Sequence, residues 1–278
     1  MRCLESLAQQ TYKDFQLIIC DDGSTDGTTE AISGQYPEAI VLSGDGNLWW
    51  TGGINRCIAY VLRQSLDAGD CMVALNNDLE VPPDYLASLT EAARRHPRAI
   101  IASVGVDIRT GQLVAPGYRH NWITAKSSPI NPEHDYLPDD FLVGRVTHAA
   151  GRGTLIPLEV FRVIGLFDEQ HLPHYGADYD FTHRARRAGY DVLVCFAARV
   201  LSHVEETGMT NIREHFSLDG FYRYLTNIKS PANLRTRWWL AVKNCPHLLL
   251  PTYLVIVLLR VVGSYFRHHM RRVMRTST

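Results

Sequence analysis

The sequence predicts an α/β fold: a Rossmann-like, mostly parallel central sheet flanked by helices, followed by a helical C-terminal tail. Three observations carry this prediction. Apolar runs at 16–20, 39–42, 71–75 and 99–104 have the length of buried strands. Helical patterns lie between them. Over 52–66, Ile58, Val61, Leu62 and Leu66 share one face, and over 84–95 Leu86, Leu89 and Ala93 do. Polar clusters follow the strand ends, where open α/β sheets bind their ligands.

Taken in order, Met1–Leu7 reads as a helix with no strand before it, so a first strand is expected to be missing. The strand over 16–20 runs into Asp21-Asp22-Gly23-Ser24-Thr25-Asp26. The second strand leads to Gly46-Asn47-Leu48-Trp49-Trp50-Thr51-Gly52-Gly53-Ile54-Asn55-Arg56. The third leads to Asn76-Asn77-Asp78, and Pro82-Pro83-Asp84 starts the next helix. From 107 to 145 Gly, Pro, Asn and Asp dominate, with isolated aromatics at Tyr118, Trp122 and Tyr136. A loop of that length is expected to be functional or disordered. Regular structure returns at Gly153–Pro157, followed by a helix over Leu158–Ile164 and the turn Gly165–Glu169. A further helix is expected from Asp178 to Ala188, stopped by Gly189, and Tyr190–Phe196 reads as a strand.

A formal net charge of -1 gives no reason to expect a nucleic-acid partner. Six scattered cysteines, without a Cys-x-x-Cys pair or zinc-type His spacing, read as reduced core residues of a cytoplasmic protein. No signal peptide is visible. Leu248–Phe266 is almost wholly apolar, interrupted by Pro251, Thr252 and Arg260, and a basic run from Arg267 to Arg275 follows. A spanning helix needs about 20 apolar residues with few charges. An interfacial helix whose basic flank meets anionic lipid fits better; a core helix with a solvated basic end is the alternative.

Each polar cluster has a chemical and a plain structural reading. Asp21 and Asp22 can accept from a base N–H and ribose hydroxyls; alternatively, with Ser24, they only build a turn and cap the next helix. Gly52 and Gly53 let backbone approach a ligand closely, and a helix start at Thr51–Ile54 would offer free N–H groups to phosphate. Trp49 and Trp50 either wall a pocket or supply one core residue. Asp78 offers oxygen to a hard cation or merely closes a turn. Asp178 and Asp180 are two apart on a helix and point about 200° apart, so both cannot face one reacting atom. Their alternative role is to sit as N-terminal charges on the helix dipole.

In this order and spacing the clusters resemble the inverting glycosyltransferases of family 2, over roughly residues 1–210. Asp21–Thr28 resembles the family's nucleotide-binding turn. Gly46–Arg56 looks like its Asn- and Gly-rich loop before a helix lining the donor site. Asn76-Asn77-Asp78 stands in place of an Asp-x-Asp metal motif, with Asn76 replacing the first carboxylate. Gly176-Ala177-Asp178-Tyr179-Asp180 is similar to a Glu-Asp-x-Asp motif, with Ala177 replacing Glu.

The resemblance implies a GT-A fold in three parts: a donor-binding half at 1–105 without the family's first strand, an acceptor and catalytic-base half at 106–215, and a membrane-associating helical tail at 216–278. It implies a UDP- or dTDP-sugar donor bound by Asp21, Asp22, Ser24, Asn47, Gly52, Gly53, Asn55 and Asn77. It implies Mg²⁺ or Mn²⁺ held by Asp78, with His203 near the diphosphate or metal, and Asp178 as catalytic base. His148 and Arg152 would touch phosphate or acceptor. The acceptor would be a glycan or polyprenyl-lipid-linked sugar in cell-surface polysaccharide synthesis, at the inner face of the cell membrane. No Gln-x-x-Arg-Trp motif is present, although Arg237-Trp238-Trp239 comes near it, which points to single-residue transfer. The alternatives are a sugar-phosphate nucleotidyltransferase, whose glycine-rich basic start is not seen, and a degenerate sugar- or nucleotide-binding protein.

Overall fold

Each predicted strand forms, and β1, β2 and β3 end where the polar clusters begin. The computed structural model describes residues 1–65, 67, 69–115, 117–131, 133–137, 140–203 and 217–276. The first half runs α1 (Arg2–Ala8), β1 (Ile18–Asp21), α2 (Thr28–Gln35), β2 (Ile40–Ser43), α3 (Trp49–Val61), β3 (Cys71–Ala74), β4 (Leu79–Glu80), α4 (Tyr85–Arg95) and β5 (Ala99–Asp107). Five short strands follow: β6 (Leu113–Ala115), β7 (Tyr118–Asn121), β8 (Lys126–Pro129), β9 (Tyr136–Leu137) and β10 (Asp140–Arg145). Then come β11 (Thr154–Pro157), α5 (Leu158–Ile164), α6 (Ala177–Arg187) and β12 (Asp191–Ser202). The tail is α7 (Leu218–Thr226), α8 (Leu234–Asn244) and α9 (Leu250–Thr276).

β1 and β2 pair in parallel as a sheet of their own. The larger sheet has the order β3-β11-β5-β12-β10-β9, with β4 on β12 and β6 on β5. The principal strands β3, β5 and β12 point the same way, and β5 and β12 pair in parallel from Ala99↔Asp191 to Asp107↔Ser202. β11 inserts between β3 and β5 in the opposite sense, a direction that an apolar run cannot encode. Period-two alternation divides β5 between two cores. Ile100, Ala102 and Val104 face a cluster with Ile58, Phe161, Phe167 and Phe181, under α3, α5 and α6. Ile101 faces Leu79, Tyr85, Leu89 and Leu193, under α1 and α4. A third cluster, with Tyr224, Ala241, Tyr253, Val257, Val261 and Tyr265, packs the tail helices on one another.

α1 is held by Gln10, a fully buried polar side chain just beyond its end. Its Nε2 donates to Pro82 O at 2.7 Å and Ser6 O at 3.1 Å, and its Oε1 accepts from Leu86 N at 2.9 Å. Every polar atom of the amide is thus paired, which is what burial requires.

Three expectations are corrected. The supposed loop over 107–145 contains β6–β10. These strands show no apolar alternation, because β8 is exposed throughout and turn chemistry makes the β7–β8 hairpin: Asn121 Oδ1 accepts from Ile123 N and Thr124 N. α3 starts at Trp49 rather than 52, because the Asp22 carboxylate gathers the N–H groups of Leu48 and Trp49. β12 extends six residues beyond Phe196, drawn out by its pairing with β5 and β4. Leu66 of the expected helix face, and residues 204–215 of the expected acceptor half, lie outside the described residues.

Candidate active site

Two carboxylates at the end of β1 organise the first wall. Asp21 is buried and accepts from Ser24 N at 3.0 Å and from the Thr29 hydroxyl. Bonds from Ser24 and then Thr29 hold its carboxyl below the usual Asp range. Asp22 accepts from Gly46 N at 2.8 Å, Leu48 N at 2.9 Å and Trp49 N at 3.2 Å, so it caps α3 and fixes the 46–49 loop. Glycine is required where these loops meet: a Cβ on Gly44 would lie 2.8 Å from Asp22 Cα. The turn-and-cap reading therefore accounts for much of both carboxylates.

The expected phosphate site at Thr51–Ile54 is corrected. Thr51 N donates to Pro173 O at 3.0 Å and Gly52 N to Leu48 O at 2.9 Å, so neither N–H is free. Asn55 is also corrected: it is buried, donates to Phe167 O and Glu169 Oε2 at 2.9 Å, and accepts from Phe167 N at 3.0 Å. It staples α3 to the 165–169 turn. Gly52 allows contact with Leu48, whose Cβ would lie 3.1 Å from an added Cβ, and Gly53 faces Cys20. Asn47 and Asn77 are exposed beside these loops.

The tryptophan pair divides between the two readings. Trp49 adopts φ +56° and is 38% exposed, 5.8 Å from the His174 ring and 5.9 Å from Lys229 Nζ. A bulky residue held in the left-handed region is a strained arrangement of the kind that collects at functional sites. Trp50 turns inward onto Phe167, and its Nε1 donates to Asn76 Oδ1 at 2.9 Å. Its ring also covers Gly151 so closely that an added Cβ would sit 2.5 Å from Trp50 Cζ2.

Gly151 carries the link to the second wall. Its N–H donates to Asp178 Oδ2 at 2.9 Å, and Tyr179 N donates to Asp178 Oδ1 at 2.9 Å. Gly176, at φ +88°, turns the chain into α6 and sets Asp178 in its first turn. Desolvation by the surrounding protein pushes the Asp178 carboxyl above the usual Asp range, against the pull of these N–H bonds. Part of its surface stays open. Asp180 faces away, as the helical angle requires: it is fully buried, bonded to Arg184 Nε at 2.8 Å and Asn244 Nδ2 at 2.9 Å, with Lys243 Nζ at 3.4 Å. That network, with the Lys243–Asp168 pair, anchors α6 to α8.

Below Trp50, the 76–78 turn presents Asp78. Its Oδ1 is buried without a hydrogen-bond partner. An orphaned buried carboxylate oxygen fits a cation ligand, because its desolvation is otherwise uncompensated. β4 pairs with β12 through Leu79↔Ser202 and Glu80↔Leu201, a register that brings His203 level with Asp78. His203 Nε2 is engaged at 2.8 Å with Glu80 Oε1, which competes with a ligand role. Among the described residues no group of three or more His, Cys, Asp and Glu could hold a metal alone. His148 is buried between Tyr118 and Tyr179, and burial pulls its pKa down to about 3, so it is neutral there. Arg152 lines a small cleft with Ser103, Gly117, Tyr118 and Ala150. Gly151 and the α8 residues Lys243 and Asn244 gave no sequence signal; a Gly-Arg-Gly run at 151–153 was the one hint.

The sequence profile of Glycosyl transferase family 2 matches residues 1–161, more than half of the chain. The chain belongs to this family. This family 2 glycosyltransferase is 26% identical over 259 residues to an N-acetylglucosaminyl-diphospho-decaprenol L-rhamnosyltransferase of Mycobacterium tuberculosis, covering 86% of this chain and 82% of that protein. Among solved structures it resembles GalNAc-T7 with UDP, GalNAc and Mn²⁺, at TM-score 0.56 and 16% identity, covering 72% of this chain and 40% of that one. It also resembles S. aureus TarS 1–349, at TM-score 0.53 and 15% identity, covering 93% of this chain and 66% of that one. These likenesses show the GT-A fold.

Proposed function

We propose that this glycosyltransferase moves one sugar from a UDP- or dTDP-sugar to a lipid-linked glycan acceptor, with inversion, in cell-surface polysaccharide synthesis. The observation that carries the reading is the contact chain from Asp22 through the 46–49 loop and Trp50 to Asn76 on one side, and to Gly151 and Asp178 on the other. These contacts tie together polar segments far apart in sequence, which supports a common site for Asp22, Asp78 and Asp178.

The Asp178 carboxylate takes the proton of the attacking acceptor hydroxyl. The acceptor oxygen bonds to the anomeric carbon as the bond to the nucleoside diphosphate breaks, and the proton leaves through Asp178 to solvent. Desolvation makes Asp178 a stronger base than an exposed Asp, and the Gly151 N–H fixes which oxygen faces the hydroxyl. Mg²⁺ or Mn²⁺, when bound, would neutralise the departing diphosphate; Asp78 would hold it, with substrate phosphates and water completing its shell. Trp49 forms the exposed aromatic wall of the donor pocket. Rhamnose is a natural donor sugar to try first, given the mycobacterial relative, with a polyprenyl-diphosphate N-acetylglucosamine acceptor. The enzyme works at the inner face of the cell membrane.

Incubation with a panel of nucleotide sugars and lipid-linked acceptors tests this reading. Transfer of one sugar per acceptor, with the anomeric configuration inverted, is expected; retention of configuration would overturn the mechanism.

A further inference from the structure

We infer that α9 docks in the plane of an anionic bilayer, as a one-sided lipid contact and not as a span, which deepens the lipid-linked reading above. Most of α9 lies in the 24-residue stretch His247–Met270, whose mean hydropathy of 1.9 would suit a span by composition. Its packing says otherwise. Tyr253, Val257, Val261 and Tyr265 are buried against α7 and α8, and Tyr265 O–H donates to Ser217 O at 3.1 Å. A helix fixed along one face to water-soluble helices offers lipid only its other face.

That other face is apolar and bare. Val255 is 58% exposed and Leu259 66%, and Phe266 and Met270 follow on the same side at 43% and 61%. Positions spaced 4, 7 and 4 apart stay on one helical stripe, about 22 Å long at 1.5 Å per residue. Exposed Arg260 and Arg267, seven residues apart, border that stripe on one side. The guanidinium of Arg267 lies back along Gly263. The charge of the sequence is one-sided over a longer stretch: from Gly220 to the last residue it contains no Asp or Glu, and besides Arg223 and Lys243, which pair with Asp219 and Asp168, it carries eight Lys and Arg residues. An apolar stripe edged by cations matches the acyl boundary and anionic headgroups of a bilayer, and it repels a second copy of the same cationic face.

The inner face of the same helix reaches the catalytic half. Tyr253, on the buried side opposite the stripe, meets Trp122 at 5.0 Å between ring centroids. Trp122 meets His183 at 5.3 Å, on α6, whose first turn holds Asp178. Docking α9 on the bilayer therefore holds that half of the enzyme close to the membrane surface.

Flotation of the full chain with neutral and anionic phosphatidylglycerol vesicles tests the inference. Binding to anionic vesicles that weakens as salt is raised is expected. Arg260→Gln/Arg267→Gln should weaken it about 25-fold, from roughly fivefold per cation near an anionic surface. Val255→Glu/Leu259→Glu should abolish it while leaving the melting temperature unchanged, since both side chains are exposed. Resistance to alkaline carbonate extraction would show a span and overturn the inference. So would equal binding to neutral vesicles, or a dimer broken by Leu259→Glu without vesicle binding. Asp178→Asn should bind vesicles normally while losing transfer, so failure of the transferase reading and failure of the docking reading give different results.

Discussion

Gly151→Ala is the sharpest local probe of the cleft. The backbone at 151 needs no positive φ, so alanine is conformationally allowed and the effect is steric. Its Cβ would lie 2.5 Å from Trp50 Cζ2, where ordinary contact begins near 3.4 Å, so the ring must retreat by about 1 Å. Trp50 cannot retreat cheaply: it is pinned by the 2.9 Å bond to Asn76 and by Phe167 behind it. Overpacking of this kind costs about 1–3 kcal/mol. The larger effect falls on chemistry, because the Gly151 N–H orients Asp178, and a 1 Å displacement at a reacting group costs about 10²-fold in rate. Steady-state transfer and thermal melting read the two effects separately. In a Trp50→Ala background the obstruction is gone, and Gly151→Ala should lose most of its effect, a coupling of about 0.5–3 kcal/mol. An unchanged kcat/KM in Gly151→Ala, or the same loss with and without Trp50, would refute the linkage.

Other outcomes follow from the same geometry. Asp180→Ala leaves the Arg184 guanidinium without its buried partner and should cost about 3–5 kcal/mol of stability in denaturant titration, lowering transfer only through loss of folded enzyme. Because burial raises the Asp178 pKa, the base is protonated at higher pH than an exposed Asp, so the acid limb of a kcat/KM profile should sit above the ordinary Asp range. The folded state disfavours the Asp178 anion. Asp178→Asn should therefore melt above the wild type at neutral pH, and the gap should close as pH falls through the raised pKa. Asp78→Ala should remove the Mn²⁺-dependent part of UDP affinity, by about tenfold or more, while metal-free binding in calorimetry is unchanged.

The principal strands were legible because buried strands read as near-continuous Val, Ile, Leu and Ala runs, such as Ala99–Val104 with its single Ser103. The opposite facing of Asp178 and Asp180 was equally legible, since helical geometry alone dictates it. The hairpin over Tyr118–Pro129 was not, because exposed strands made by turn residues carry no apolar period. The role of Asn55 was misread for a different reason. A Gly-Gly-x-Asn sequence describes a close approach, and nothing in it says whether a ligand or the 165–169 turn arrives there. The support of α6 by Lys243 and Asn244 was invisible, since it joins segments more than sixty residues apart.

The most direct measurement is sugar transfer by Asp178→Asn beside its nucleotide affinity. Asparagine keeps the shape, and its one carbonyl oxygen can still accept from the Gly151 N–H, so the basicity is lost together with the bond from Tyr179 N. Turnover should fall by about 10²–10⁴-fold, the usual contribution of a positioned base, while UDP or dTDP binds as to the wild type. Transfer at the wild-type rate with intact binding would mean that another group takes the proton.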